Sequence, residues 1–368
     1  MRALRWPFLL MATAAAGFGP VACPPTVAAQ EPSTVRHEVG AVEAEPWVVR
    51  RSPAAGAASV RRHEVERSGA SFLKPHFSRL HLRPGETLTV RDGAGTAVEV
   101  LRGRGPAGGE PFWGLAVRGQ KIVFELHLRP TAGGVRGFDR EPVRLDRVAV
   151  GDGGFLPIGE APRSSTADRV GESLCGDGDF EDIECYRGDA AKFDAMLSTA
   201  GVLTAENGSV FWCTGVNVSP RNLVLTAESC LASTAACRDA EFVFGFYRDG
   251  CGVGAPVAEG WRGYRCVETV ASSPFGDQCE PTPATLDFSL HRVDGDPANE
   301  WGWSDPADVA PASGERLYIP QHADGRPLEV THGEGADVEL DGMTLRYYGT
   351  LDTESSSVGA PIFRDGDV

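Results

Sequence analysis

Two neighbouring runs of sequence decide the fold: WCTGVNV at residues 212–218 and LVLTAESC at residues 223–230. Each run has the form of a β-strand, and the Pro-Arg-Asn triplet at residues 220–222 between them is typical of a turn. A cysteine lies in each run, at Cys213 and Cys230. The sequence therefore predicts two strands joined by a short turn.

Further motifs flank these strands in a fixed order. CG at residues 175–176 and CY at residues 185–186 come before them. After them come TLDFSL at residues 285–290, LYIPQHADGRP at residues 317–327 and DTESSSVGAPIF at residues 352–363. Asp287, in the first of these downstream motifs, lies 58 residues after Ser229.

Together these motifs resemble those of secreted trypsin-like serine proteases, from about residue 173 to the end of the chain. The strand pair is similar to the family's LTAxHC histidine loop, and residues 285–290 to the strand that carries its aspartate. Residues 317–327 resemble the family's YIPQHPxGxP stretch, and residues 352–363 its nucleophile motif, DTEGGSSGSP. The resemblance implies a chymotrypsin-like double β-barrel.

The same resemblance places unusual residues at two of the three catalytic positions. Asp287 falls on the acid position, but Ser229 stands at the histidine position. Anchored on Gly359 and Pro361, the nucleophile position falls on Val358. A serine at residue 229 cannot accept a proton near neutral pH, and a valine has no lone pair with which to attack a carbonyl. We therefore expect a pseudoprotease that binds a protein or peptide.

The resemblance implies further roles around the nucleophile position. The backbone amides of Ser356 and Val358 correspond to the oxyanion hole. Asp352, six residues before Val358, resembles the acidic base of the pocket that receives Arg or Lys. An exposed turn aspartate is an equally supported interpretation of Asp352, because serines replace the motif's glycines beside it.

The cysteines and the N-terminus indicate export. The first residues, MRALR, precede an Ala-rich apolar run and small residues that end at Ala29, which predicts a signal peptide at residues 1–29 and a secreted, extracellular or periplasmic protein. Lipid attachment at Cys23 is the weaker interpretation. Cleavage after Ala29 leaves eight cysteines between Cys175 and Cys279, an even number that favours disulfides.

The resemblance implies a bridge between Cys213 and Cys230, and suggests one between Cys185 and Cys251. The connectivity of the remaining cysteines stays open; these are Cys175, Cys237, Cys266 and Cys279.

Composition and turn spacing predict an all-β chain with several segments. Gly 45 and Pro 26 punctuate short apolar runs. We expect a linker or propeptide at residues 30–67, a small β-sandwich accessory domain at 68–155, a second linker at 156–172 and the protease domain at 173–368. Because the chain ends at Val368 while the family continues, we expect an incomplete second barrel.

Charge and hydropathy exclude several partners. Lys+Arg 35 against Asp+Glu 51 gives a net charge of -16, and the basic residues are scattered, so a nucleic-acid ligand is not expected. After the N-terminal segment, no apolar stretch reaches the roughly 20 residues that a membrane-spanning helix needs.

Several histidines invite other hypotheses. His76, His81 and His127 could converge on a metal, but without a supporting carboxylate pattern we expect strand-surface residues, and neither metal nor cofactor. His291 is likewise expected to be exposed. Two alternatives to the pseudoprotease remain: an active endopeptidase that cleaves after Arg or Lys, and a structural or adhesive surface protein.

Overall fold

The computed structural model describes residues 36–51, 59–130, 140–152, 179–252, 257–258, 260–275, 286–307, 309–312, 314–333, 338–341, 344–347 and 351–364. The chain divides into two compact units. The accessory unit comprises residues 38–156 and 205–210, and the barrel unit comprises residues 1–37, 157–204 and 211–368. The described residues of both units are built mainly of β-strands, which confirms the all-β prediction.

The accessory unit is a two-sheet β-sandwich. One sheet has the strand order β1-β9-β3-β6, with β7 also paired to β3, and the other has the order β2-β8-β4-β5. Side chains from both sheets share one core, in which Phe77 of β3 meets Phe124 of β8 edge to face with ring centroids 6.0 Å apart. The strands are β1 (His37–Val49), β2 (Ser59–Glu66), β3 (Phe72–Leu80), β4 (Thr87–Arg91), β5 (Ala97–Leu101), β6 (Phe112–Trp113), β7 (Val117–Arg118), β8 (Lys121–Leu128) and β9 (Val143–Gly151).

Strands β1 and β2 lie within residues 30–67, so the prediction of a linker or propeptide there is corrected. β1 pairs with β9, and β2 pairs with β8 along its whole length, from Ser59 opposite Leu128 to Glu66 opposite Lys121. The polar composition of this segment hid the strands, because few side chains point inward; Val49 and Val65 do, and Trp47 stacks on His63 at 4.8 Å. The predicted signal peptide at residues 1–29 and the linker at 156–172 lie outside the described residues.

The histidines of the accessory unit have separate partners. The Nδ1 atom of His76 lies 2.6 Å from a carboxylate oxygen of Asp146, and His76 is buried, so the prediction of a surface residue is wrong for it. His81 accepts a hydrogen bond from Arg104. His127 bonds Glu125 on the solvent side of β8. These three histidines therefore do not meet at one point.

The barrel unit contains a closed six-stranded barrel. Its strands follow the order β11-β14-β15-β16-β13-β12, and β11 also pairs with β12, which closes the ring. A four-stranded sheet, β10-β18-β17-β21, and the hairpin β19-β20 complete the described strands of this unit. The elements are β10 (Glu181–Asp182), α1 (Ala190–Leu197), β11 (Thr199–Glu206), β12 (Ser209–Asn217), β13 (Leu223–Thr226), α2 (Thr234–Asp239), β14 (Glu241–Phe244), β15 (Arg262–Phe275), β16 (Leu286–Val293), α3 (Pro297–Trp301), β17 (Leu317–Gln321), β18 (Glu329–Gly333), β19 (Val338–Asp341), β20 (Thr344–Tyr347) and β21 (Phe363–Arg364).

Disulfides brace the barrel unit. The bridges Cys185–Cys251 and Cys213–Cys230 confirm the two pairings that the resemblance implied. A further bridge joins Cys237 to Cys266, from the set left open. Cys23, Cys175 and Cys279 lie outside the described residues. Such bridges persist in oxidising compartments, which agrees with an extracellular protein.

The described helices are all too short or too polar to cross a lipid bilayer.

Tight packing between β11 and β12, the two strands that close the barrel, gives a prediction about stability. A Cβ added to Gly201 of β11 would lie 1.9 Å from the ring of Trp212, which is fully buried on β12. We expect Gly201→Ala to lower the free energy of unfolding by about 1–3 kcal/mol, the usual cost of overpacking a core. Gly188→Ala is the matched control, because a Cβ there meets nothing within 4 Å. Urea unfolding followed by tryptophan fluorescence measures both variants, and equal midpoints would contradict the packing described.

Candidate functional site

Ser229 and Asp287 meet inside the barrel. Ser229 follows the end of β13, and Asp287 is the second residue of β16. The Ser229 hydroxyl donates to one carboxylate oxygen of Asp287 at 2.9 Å, and the Ser229 amide donates to the other at 2.7 Å. Both residues are buried, and the neighbouring Cys213–Cys230 bridge fixes the loop to β12. The two positions that the sequence assigned to the histidine and the acid are therefore adjacent.

The Asp287 carboxylate is buried without a cation. Its backbone is left-handed, with φ 48°, and no ion pair joins it to a basic group among the described residues. Burial raises the pKa of Asp287, and hydrogen bonds from the Ser229 amide and hydroxyl and from the Glu228 amide oppose that rise. Hydrogen bonds alone hold this carboxylate, where the family resemblance implies an imidazole partner.

The loop that carries Val358 lies against strand β12. The Thr214 amide donates to the Val358 carbonyl at 3.0 Å, and the Thr214 hydroxyl donates to the Ser356 carbonyl at 2.8 Å. Gly359 has φ 86°, and a Cβ there would lie 2.2 Å from the Thr214 carbonyl oxygen, so glycine is required at this approach. The Val358 side chain packs against the apolar core of the barrel.

The two serines before Val358 have no imidazole partner among the described residues. The Ser357 hydroxyl accepts a hydrogen bond from the Glu354 amide at 3.1 Å. The Ser356 hydroxyl is buried with no hydrogen-bond partner in the described structure, and its backbone has φ 70°. Neither hydroxyl is bonded to an imidazole in the described ranges. The assignment of the Ser356 and Val358 amides to an oxyanion hole stays a prediction.

Asp352 is buried rather than exposed. One carboxylate oxygen accepts the Asp179 amide at 2.9 Å, and the Asp352 carbonyl accepts the Gln321 side-chain amide at 2.8 Å and the Thr331 hydroxyl at 3.0 Å. The interpretation as an exposed turn residue is therefore wrong, since none of its surface is accessible. A role as the base of a pocket stays a prediction, and it would require a ligand to displace the Asp179 contact.

A buried charge network supports the same loop, and sequence reasoning missed it. Arg326 donates to Glu354 at 2.6 Å and to Glu329 at 2.9 Å, and its guanidinium lies 4.9 Å from the centroid of the Phe180 ring. Arg326 belongs to the motif at residues 317–327, but nothing in its spacing indicates which carboxylates it meets. The network ties β18 to the segment that begins at Asp352.

His291 is buried, so the expectation of an exposed residue is wrong. Its Nε2 atom lies 2.8 Å from the Ser289 hydroxyl, which itself donates to the Ala227 carbonyl at 3.2 Å. Burial lowers the pKa of His291 to about 4. The ring is therefore neutral near pH 7. No hydrogen bond connects it to Asp287 within the described residues, so it does not take the place of the missing histidine.

Parts of this chain are similar to known proteins. Residues 213–368 match the family model of the trypsin-like peptidase domain. The chain is 23% identical over 314 residues, 82% of this chain and 74% of the relative, to the secreted RxLR effector protein 73 of Plasmopara viticola.

Solved structures of proteases are also similar to it. One is the thermostable serine protease AL20 from an extremophilic microorganism (17% identity, 47% of this chain and 80% of that chain, TM-score 0.33). Another is a Glu endopeptidase in complex with MPD (18% identity, 52% of this chain and 82% of that chain, TM-score 0.36).

The unpaired carboxylate gives a pH prediction. Because the pKa of Asp287 is raised on folding, its charged form is less favourable in the folded chain than in the unfolded chain. At a pH below the pKa of Asp287 in the unfolded chain, the contribution of this residue to stability is therefore fully present. The contribution is lost as the pH rises through the pKa of Asp287 in the folded chain. We expect Asp287→Asn to be more stable than the wild type at pH 7, with an advantage that shrinks as the pH falls below the folded pKa.

Thermal unfolding of both proteins between pH 3 and pH 8 measures this difference. Asparagine suits the test because it tolerates the left-handed backbone of residue 287. The measured quantity is the stability of Asp287→Asn minus that of the wild type. A smaller value of this difference at pH 7 than at pH 3 would contradict the raised pKa.

Proposed function

We propose that the trypsin-like peptidase domain of this chain is catalytically inactive and binds a protein or peptide outside the cell. The observation that carries the proposal is the Asp287 carboxylate, which is bonded to the hydroxyl of Ser229 where the family's mechanism needs an imidazole. Val358 adds to it, because a valine at the nucleophile position has no attacking atom.

The chemistry supports inactivity at two steps. Attack on a peptide carbonyl needs a nucleophile and a base that removes its proton, and the aspartate only orients and stabilises that base. In proteases of this type, loss of triad members leaves a residual acceleration of roughly 10³ to 10⁴ over water. This residual acceleration is far too small for a working endopeptidase.

The disulfides and the relative support action outside the cell. Three bridges stabilise the described barrel unit, which suits an oxidising environment. The relative from Plasmopara viticola carries the name of a secreted effector, which supports a role for this chain after export. An exported protein that has the barrel but not the triad still offers a surface to which a protein or peptide can bind.

The inactive state gives the first test of this proposal. We expect no hydrolysis of reporter peptides with Arg or Lys before the reporter group. The double variant Ser229→His, Val358→Ser should show detectable hydrolysis, because it restores the base beside Asp287 and the attacking hydroxyl. Asp287→Ala added to that double variant is the control and should abolish the gain. Wild-type turnover that survives inhibitor controls and disappears in Asp287→Ala would show an active endopeptidase.

The second test concerns binding at the loop that carries Val358, within residues 352–363. Peptides selected by display against the full chain should lose roughly tenfold or more in affinity when Ser355→Trp fills the space beside the loop. Ser355 is partly exposed, so the larger side chain can project outward. Ser272→Trp, on the exposed part of β15, is the control and should bind as the wild type does. Equal affinity for all three proteins would contradict binding at this loop.

A further inference from the structure

A disulfide and a histidine lie together in the core of the barrel. The Sγ atoms of Cys237 and Cys266 and a ring nitrogen of His291 all lie within 4.8 Å of one another, and all three residues are buried. It is the one group of this kind among the residues that the structure describes. The other two described bridges, Cys185–Cys251 and Cys213–Cys230, have no such third ligand.

The backbone fixes the three positions independently of the bridge. Cys237 lies on α2, whose first turn is capped by the Ser233 hydroxyl, an acceptor for the Ala236 amide at 3.0 Å. Cys266 and His291 lie on the paired strands β15 and β16, where Thr269 is opposite His291. The strand ladder, and the hydrogen bond that the Cys266 amide donates to the Ala240 carbonyl at the end of α2, therefore keep these side chains close even when the S–S bond is open.

Hydrogen bonds also orient the imidazole. Because the Ser289 hydroxyl donates to the Ala227 carbonyl, it accepts from Nε2–H of His291. That assignment leaves Nδ1 with a lone pair, and its one partner in the described structure is the Thr269 hydroxyl, 3.3 Å away. A neutral imidazole that donates from one nitrogen and keeps a lone pair on the other is the form that binds transition metals, and a metal at Nδ1 would displace the Thr269 contact.

We propose that reduction of the Cys237–Cys266 bridge converts this cluster into a binding site for a thiophilic divalent metal such as Zn²⁺. A phosphine supplies two electrons to the S–S bond, and a water molecule supplies the oxygen of the resulting phosphine oxide and the two thiol protons. A dithiol reductant instead supplies both electrons and both protons and becomes a disulfide. The bond breaks into two thiols. On metal binding both thiol protons pass to solvent, and the metal bonds two thiolates and one imidazole nitrogen.

The distances required are within the reach of side-chain motion. Zn–S bonds of about 2.3 Å and Zn–N bonds of about 2.0 Å in a tetrahedral site separate the ligand atoms by roughly 3.5–3.8 Å. The sulfurs of any disulfide are about 2 Å apart and must separate by less than 2 Å. The imidazole nitrogen, now within 4.8 Å, must approach by about 1 Å. The Cα atoms of the two cysteines, 5.2 Å apart, need little displacement.

The consequence is an exchange of one cross-link for another. In the oxidised chain the disulfide ties α2 to β15, and in the reduced chain the metal ties the same two elements and adds β16 through His291. The barrel would then keep a cross-link between α2 and β15 in a reducing environment that contains the metal.

Cobalt titration of the reduced full-length chain tests this proposal. After anaerobic treatment with a phosphine, Co²⁺ should bind with a stoichiometry of one and give thiolate-to-cobalt absorption, and Zn²⁺ should displace it. Cys185→Ser, Cys251→Ser should retain the signal, whereas Cys237→Ser, Cys266→Ser should lose it. His291→Gln should weaken binding at least roughly 10- to 100-fold, since that loss is usual even when only a hydrogen-bond partner of a metal ligand is altered.

A second readout guards against variants that fail to fold. Circular dichroism shows whether each reduced protein keeps its strands, and Zn²⁺ should raise the melting temperature of the reduced wild type and of Cys185→Ser, Cys251→Ser only. A reduced wild type without a stoichiometric cobalt signal overturns the proposal. So does a signal that survives in Cys237→Ser, Cys266→Ser, or one that is equally strong in His291→Gln.

Discussion

The carboxylate of Asp287 is the group around which the barrel unit is arranged. It is buried at the start of β16, and the loop after β13 reaches it with both the amide and the hydroxyl of Ser229. Because a buried carboxylate without hydrogen bonds is costly, the loop and the strand constrain each other. The two hydrogen bonds that Ser229 donates to Asp287 therefore hold the loop after β13 against the start of β16.

Motif order predicted more of this structure than composition did. The bridges Cys213–Cys230 and Cys185–Cys251 could be predicted because the motifs around these cysteines resemble those of trypsin-like proteases in order and spacing. The strand β2 could not, since its residues are polar and it is held mainly by its ladder with β8. Arg326 and its carboxylates also escaped prediction, because long-range ion pairs leave no periodic pattern in a sequence.

Burial accounts for the remaining differences between the sequence predictions and the structure. His76 and His291 both lie on strands whose alternation gave no indication of which face was covered, and the structure buries both. Asp352 is similar: the sequence indicated a carboxylate six residues before Val358, but not that the Asp179 amide would meet it. Residues 213–368 match the family model of the trypsin-like peptidase domain, which agrees with the motifs in that part of the chain.

Under the proposal of an inactive domain, the packing of Val358 opposes the restoration of catalysis. Its side chain is half-buried and packs against the apolar core of the barrel, so a serine at residue 358 would lose part of that apolar contact. That change alone would carry this cost and bring no hydrolysis while Ser229 is unchanged. The two positions are therefore coupled, because only the double change at residues 229 and 358 would supply both a base and an attacking hydroxyl.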